Sequence, residues 1–332
     1  MMPEPIVDVA IIGSGIAGAA LAFFLRQQGS TVFVLEAGGE VAAGASGNAA
    51  AALYPLLAIQ PSKEALFYLD AWRFTRAWLQ ALPQELSSLC GLEMLDPRAQ
   101  RLAAAPHYEQ EILCPEPGRA VLPLAGWVRP RALCQYLLTD VPVRLHTAVT
   151  RIEPGLITTA TGEIIRANHI VLANGYGANS LMKPPLPLTP LAGQITEARA
   201  QNDAPPPAFV RCGDGYLIPP MDGVYTGGSS YRRGCTDTSI SPAETTENIA
   251  KMQALAPEIG SLIAAGDRAS VRCRTRDTLP VVGALSNPPG VFILTGFASR
   301  GMVAAPYAAS LLAGALTGGA DVPALLHPQR FG

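Results

Sequence analysis

Charge is scarce in this sequence. Of its 332 residues only 15% are charged and 49% are hydrophobic, against roughly 25% charged in ordinary soluble domains. A chain this apolar is not a disordered one, because disorder needs low hydrophobicity with high net charge. Lysine is nearly missing: Lys63, Lys183 and Lys251 are the only lysines among 24 basic residues, and net charge is −2. The basic surplus of a dedicated nucleic-acid binder is absent, so a polyanionic partner needs a local arginine patch. Cysteine is sparse, with 6 residues and no CxxC pair. That excludes a disulfide scaffold and fits reduced thiols in a cytoplasmic protein. His107, His146, His169 and His327 lie far apart in sequence, without HxxxH spacing, so no metal site is expected. No GxSxG nucleophile elbow occurs. The longest uncharged apolar run, Val9 to Leu25, has 17 residues, at the low edge for a membrane span. Three glycines interrupt it, and Glu4 and Asp8 precede it where a leader would carry cations. It is neither an export signal nor an anchor.

Glycine and proline are plentiful, at 32 and 30, so turns are frequent. Chain length favours two domains. The segment IVDVAIIGSGIAGAALAFFLRQQGSTVFVLEA is the most informative. Val7 to Ile12 is a β-branched run suited to a buried parallel strand. Gly13, Gly15 and Gly18 follow in G-x-G-x-x-G spacing, then a helix over Ala19 to Gln28 and a second strand over Thr31 to Leu35. Gly13 permits the tight turn, Gly15 lets backbone approach a pyrophosphate, and Gly18 allows close helix–strand packing. The helix start offers unpaired N–H groups to phosphate. Glu36, ending the second strand, is placed to accept from a ribose hydroxyl, and an acid there disfavours a 2′-phosphate. FAD and NAD remain; the small-residue run through Ser46, Gly47 and Asn48 favours FAD, because it lets backbone lie against a flat ligand, although a flexible surface loop also suits such a run.

Further along, Lys63 to Leu82 reads as a helix whose Leu66, Leu69, Trp72, Phe74, Trp78 and Leu82 supply core. VPVRLHTAV, LITTATGEII and HIVLANGYGA read as strands, the last ending at Ala173, Asn174 and Gly175. Proline-rich stretches at Lys183–Pro190 and Asp203–Pro207 look like crossings between domains. Gly193 to Gly228 reads as antiparallel strands, and Pro242 to Gly266 as a helix with Leu255, Ile259 and Leu262 on one face. VFILTGFASRGMVAAPYAASLLAGAL repeats the strand–glycine–helix style at the carboxyl end. The expected fold is α/β (α+β overall): a Rossmann-like FAD-binding domain over 1–80, 142–190 and 272–332, discontinuous in sequence. An antiparallel-sheet substrate domain over 81–141 and 191–271 interrupts it.

The early glycine motif, the VLANG strand end, Tyr216 in GYLIP, RCRTRDTLPVVG over Arg272 to Gly283 and the terminal GFASRG together resemble the D-amino-acid oxidase and glycine oxidase superfamily of flavoenzymes. GASGNAAAALYPLL, GCTDTSI, RTRDTLPVVG, SRGMVAAP and PQRF are similar to the FAD-dependent domains of the MnmC family, bifunctional tRNA 5-methylaminomethyl-2-thiouridine biosynthesis proteins. That family's methyltransferase domain has no counterpart in the sequence, so the resemblance implies that methylation needs a separate methyltransferase partner or does not occur.

The resemblance implies a glycine-oxidase-like fold, non-covalent FAD and oxidation of a CH–NH bond, with the hard chemistry supplied by the flavin. The implied substrate is carboxymethylaminomethyl-(2-thio)uridine at the wobble position of tRNA, giving aminomethyl-(2-thio)uridine and glyoxylate. It implies cofactor contacts from Gly13, Gly15, Ile16, Ala17, Gly18, Glu36, Ala37, Ser46, Gly47, Asn48, Val149, Ala173, Gly175, Gly296, Ser299, Arg300, Gly301 and Met302. Arg272, Tyr216 and Arg300 are the implied catalytic residues. Arg272 matches the carboxylate-binding Arg of glycine oxidases, and its structural alternative is a salt bridge to Asp277. Tyr216 either places a hydroxyl in the active site or packs as an ordinary strand tyrosine. Glycine oxidases carry an Arg where Ser299 stands, so Arg300 has three candidate partners: substrate carboxylate, flavin or tRNA phosphate. Cys273 is out of register for a covalent flavin link and is expected to be an inert thiol. Arg73, Arg76, Arg232 and Arg233 are the arginines that a tRNA-facing rim would gather. Two other readings stay open: a glycine/sarcosine oxidase-like or D-amino-acid oxidase or dehydrogenase acting on a free small amine, and a flavin-dependent structural or tRNA-binding protein without turnover.

Overall fold

The computed structural model describes residues 7–103 and 108–332; Glu4 and His107 lie outside the described residues. Two compact units emerge, unit 1 over 1–47, 130–191 and 272–332, and unit 2 over 48–129 and 192–271.

Unit 1 is built on a mixed eight-stranded sheet. The strands Val143–Arg144, Val32–Leu35, Val7–Ile12, Ile164–Leu172 and Val291–Thr295 run parallel in that spatial order. Val9 lies opposite Val32 and Ile12 opposite Leu172. Val9 to Ile12 are buried, which is why this strand reads as a continuous apolar run without alternation. Val281–Ala284 adds an antiparallel edge. The helices Ile16–Gln27 and Gly301–Leu316 pack on one another through alanine-rich faces, and small side chains bring the two axes close. VPVRLHTAV is two strands, Val143–Arg144 and Val149–Glu153, not one. His146, at φ +53, turns the chain between them, and its N–H donates to Gly38 O at 2.9 Å.

Unit 2 holds a nine-stranded sheet, mostly antiparallel, and a three-stranded one. In the larger sheet Gly215–Met221 lies between Val210–Gly213 and Val224–Gly228, with Tyr216 opposite Cys212 on one side and Gly228 on the other. The helix Lys63–Gln80 starts at Ser62, whose Oγ accepts from the Ala65 N–H at 3.1 Å. It buries Leu69 and Trp72 but leaves Leu66 53% exposed, so one leucine of the expected stripe faces outward.

Three expectations shift. Residues 48–80 belong to unit 2, because the strand Ala51–Leu53 pairs with Gly126–Val128. Residues 130–141 belong to unit 1, where the helix Pro130–Leu137 packs on Ile16–Gln27 and Arg26 donates to Asp140 O at 2.5 Å. The expected helix over Pro242–Gly266 stops at Leu255. Ala256 leaves helical geometry at φ −144 and ψ 68, Gly260 turns at φ +67, and a strand runs from Leu262 to Thr275. Leu255, Ile259 and Leu262 do share one core cluster, but from three successive elements. Lys183–Pro190 lies within unit 1 and Asp203–Pro207 within unit 2; of the four crossings, those at 191/192 and 271/272 fall inside the strands Leu188–Ala200 and Leu262–Thr275, and the others at 47/48 and 129/130.

Candidate functional site

The glycine turn of unit 1 has no room for side chains. Gly13 sits at φ +106, where a Cβ would stand 2.8 Å from Ala173 O. At Gly18 a Cβ would come within 1.9 Å of Gly13 O. The first helix therefore starts directly over the end of the first strand, with Ile16 and Ala17 in its opening turn. Gly15 is its N-cap and provides no side-chain cap. Ser46 supplies one from a distance in sequence: its Oγ accepts from the Ile16 N–H at 3.0 Å. The remaining first-turn N–H groups have no partner within the helix, and its dipole puts partial positive charge there.

Glu36 stands at the end of the second strand, as expected, and is more elaborately held than its position suggests. Its Oε2 accepts from the Ser14 N–H at 3.0 Å and from the Ser14 hydroxyl at 2.6 Å. Its Oε1 accepts from the Gly38 N–H at 2.8 Å. Ser14 is fully buried, and its Oγ also accepts from the Ala42 N–H at 3.0 Å. All these donors are uncharged, and together they fix the Glu36 carboxylate in place. Ser14 was missed in sequence because any small residue satisfies the glycine motif.

The other expected cofactor residues are spread over several elements of unit 1, except Asn48, which opens unit 2. Ala173 is joined to the first strand through its N–H to Ile12 O at 2.9 Å, and Gly175 follows at φ +62. Between them, Asn174 Oδ1 is shielded from solvent with no hydrogen-bond partner among the described residues, beside Gly13. An orphaned acceptor, an open helix start and a turn that Cβ atoms would fill fit a dinucleotide. Ala37 is exposed, Val149 opens a strand, and Gly47 O accepts from Arg131, which also pairs with Glu40. Asn48 begins unit 2, where its Oδ1 accepts from Arg268 at 3.1 Å.

The loop Gly296–Arg300 leads into the helix Gly301–Leu316. Gly296 is at φ +85, with a Cβ position 2.9 Å from Thr275 Cγ2. Ser299 is exposed; Arg300, Gly301 and Met302 are half-buried. Arg272 is half-buried on the neighbouring strand. Asp277, the suggested structural partner of Arg272, is held instead by Arg330, at 2.7 Å from Nε and 3.2 Å from Nη2. Cys273 is buried, and burial pushes its thiol up to about 11, which keeps it protonated and unreactive. In unit 2, Tyr216 is half-buried and packs partly against an apolar cluster that includes Leu92 and Met94.

The arginines suggested for a tRNA rim are largely committed. Arg73 pairs with Asp70 and Glu109, Arg76 lies over the Trp72 ring at 5.5 Å, and Arg232 pairs with Asp237 and Glu244. Arg233 is exposed. Acidic residues outnumber basic ones in unit 2, and the reverse holds in unit 1. Among the described residues no His, Cys, Asp and Glu group could hold a metal, and no helix is long and apolar enough to cross a membrane.

Comparison with known proteins agrees with this geometry. The bifunctional tRNA 5-methylaminomethyl-2-thiouridine biosynthesis protein MnmC of Methylobacillus flagellatus is 31% identical over 97% of this chain and 58% of its own length. That of Chromohalobacter salexigens is 29% identical over 94% and 54%. The chain thus spans little more than half of these curated relatives. Among solved structures, glycine oxidase from Geobacillus kaustophilus superposes with a TM-score of 0.83 at 22% identity, covering 98% of both chains. Iminodiacetate oxidase from Chelativorans sp. gives 0.80 at 20% identity, over 96% of this chain and 98% of that one. These two likenesses establish the fold. Residues 8–315 match the family model "DAO: FAD dependent oxidoreductase", and the chain belongs to that family of FAD-dependent enzymes.

Proposed function

We propose that the protein oxidises the N-substituted glycine of carboxymethylaminomethyl-(2-thio)uridine at the tRNA wobble position, yielding aminomethyl-(2-thio)uridine and glyoxylate. The observation that carries this reading is the match of 94–97% of the chain to tRNA 5-methylaminomethyl-2-thiouridine biosynthesis proteins. A fold shared with a glycine oxidase and an iminodiacetate oxidase agrees with it, because iminodiacetate is itself an N-substituted glycine.

Unit 1 holds FAD non-covalently and unit 2 contributes to substrate recognition. Bound FAD would supply the hydride acceptor for the glycine methylene, between amine and carboxylate, and hydrolysis of the resulting substrate imine would release the aminomethyl nucleoside and glyoxylate. The glycine turn and first-helix start receive the pyrophosphate, and Glu36 accepts from the ribose. Arg272 clamps the glycine carboxylate with its planar fork, which fixes the methylene for hydride loss. Within unit 2, the Tyr216 hydroxyl serves substrate recognition. Arg300 and the start of the Gly301–Leu316 helix stabilise negative charge as it develops nearby. The oxidation belongs in the cytoplasm, with tRNA.

The test is anaerobic flavin bleaching by tRNA bearing carboxymethylaminomethyluridine, followed by nucleoside analysis. Rapid bleaching by that tRNA and loss of its carboxymethyl group are expected; Arg272→Ala should raise the apparent KM at least about tenfold, the scale of a lost charge-assisted hydrogen bond. Fast bleaching by sarcosine, glycine or D-amino acids but not by tRNA would instead establish a free-amine oxidase. The 98% mutual coverage with glycine oxidase keeps that second reading in view.

A further inference from the structure

The carboxyl-terminal PQRF segment contains a guanidinium with every donor group engaged. Arg330 Nε and Nη2 reach the two oxygens of Asp277, at 2.7 and 3.2 Å. Nη2 also donates to Leu279 O at 3.0 Å, and Nη1 donates to Leu326 O at 2.7 Å and His327 O at 3.1 Å. Its Cζ lies over the Phe331 ring, 4.3 Å from the ring centre. A surface arginine does not need five acceptors. This one ties the end of the chain to the turn that joins the Leu262–Thr275 strand to the Val281–Ala284 strand.

That turn is the support of the loop assigned to the flavin. The fully buried Thr275 donates from Oγ1 to Leu279 O at 2.6 Å, and the Leu279 N–H donates to Asp277 Oδ1 at 3.2 Å. Thr275 Cγ2 lies 2.9 Å from where a Gly296 Cβ would be, so the Gly296 backbone rests directly on this turn. One residue pair further along, the Ala298 N–H donates to Cys273 O at 2.7 Å, and Arg274 bridges Phe297. Segment 273–280 and loop 296–298 are therefore one packed assembly, and Arg330 closes it from outside.

We propose that Arg330 is a positioning residue for the cofactor: by locking Asp277 and Leu279 it fixes the turn against which the Gly296–Arg300 loop is shaped. The proposal rests on the reading that this loop contacts the flavin, and on nothing about the substrate. Lysine at 330 keeps the charge but can satisfy neither the paired Asp277 contact nor the three carbonyls together, so the fork and not the charge is the device.

The test compares Arg330→Lys, Asp277→Asn and Gly296→Ala with the wild-type protein. The readouts are the FAD dissociation constant by flavin fluorescence, the fine structure of the bound-flavin visible bands, and amide hydrogen exchange. Expected for Arg330→Lys and Asp277→Asn are at least tenfold weaker FAD binding, blurred flavin bands, and lost protection at Leu279 and Ala298 with Ile11 and Val171 still protected. Arg330→Lys is the mild variant and guards against a folding failure. If Gly296→Ala weakens FAD binding while Arg330→Lys leaves affinity and bands unchanged, Arg330 is a terminal staple only and the proposal falls. If Gly296→Ala itself leaves FAD binding intact, the loop does not meet the flavin and the proposal falls with that reading. Neither outcome bears on whether tRNA is the substrate.

Discussion

Glu36 in unit 1 and Glu93 in unit 2 are acids of the same type, each fixed by several hydrogen bonds, and they are fixed in opposite ways. Glu36 is gripped by two backbone N–H groups and one hydroxyl, all neutral. Glu93 is 4% exposed and lies between two guanidiniums, Arg119 Nη1 at 2.5 Å and Arg211 Nε at 2.9 Å. Those arginines reach on to Glu116 and Glu258, so the sheet of unit 2 carries an alternating row of acid and base. Neutral donors orient a carboxylate and leave its charge uncompensated, available to a ligand. Guanidiniums cancel the charge and turn the carboxylate into a cross-strand tie. The kind of partner, more than burial, distinguishes these two acids.

The largest effect should come from removing the frame that makes Glu36 useful. Gly18→Ala would force a Cβ against Gly13 O and push the helix start off the strand end. FAD binding should be lost, with a stability cost of about 3 kcal/mol from backbone overpacking. Equilibrium dialysis against FAD and urea unfolding check it; retained FAD affinity would mean that the turn is not the pyrophosphate site.

Glu93→Gln comes next and should act on stability alone. It leaves Arg119 and Arg211 facing a neutral amide in a largely buried place, a change that costs about 3–5 kcal/mol in closed sites. Arg119 is 38% exposed, so solvent relieves part of this and about 3 kcal/mol is expected. Urea melts of the apoprotein should show it while the FAD dissociation constant stays put. Glu36→Gln should do the reverse: FAD affinity down about tenfold, equivalent to about 1.4 kcal/mol, with little change in the apoprotein melt. If both variants shift the same observable, the contrast between the two acids is wrong.

What could be read from sequence follows the same division. The parallel core of unit 1 was legible because strand, glycines, helix and acid are contiguous, and each has one local task. The place of Glu36 at the strand end was legible this way, and its support by Ser14 was not, since a hydroxyl in G-x-G gives no periodic signal. Unit 2 was harder. Glu93, Arg119 and Arg211 are far apart in sequence and meet only across paired strands, so no spacing announces them. The helix expected through Gly266 failed at Ala256 and Gly260, where two apolar residues of the next elements happened to continue a helical spacing. Arg330 stood in a recognised PQRF string, yet its partner Asp277 lies 53 residues earlier, so its task appears only in the folded chain.

Asp277 tests the contrast at its boundary, because it sits beside the candidate site but is held like Glu93, by a guanidinium. Burial on its own would raise its carboxyl; hydrogen bonds from Arg330, the charge of Arg330 and the Leu279 N–H outweigh that and hold it below the ordinary value. A carboxyl whose folded value is depressed stabilises the fold above its unfolded value, and that contribution disappears as pH falls through the folded one. The apoprotein should therefore melt higher than Asp277→Asn at neutral pH, and the gap should close below about pH 4, the ordinary carboxylate range. With its side chain 33% exposed the gap will be small, the least of these effects. Thermal melts of both proteins between pH 3 and pH 7 measure it. A gap that persists unchanged at pH 3 would show that Asp277 contributes shape and not charge, and would move it out of the class that Glu93 defines.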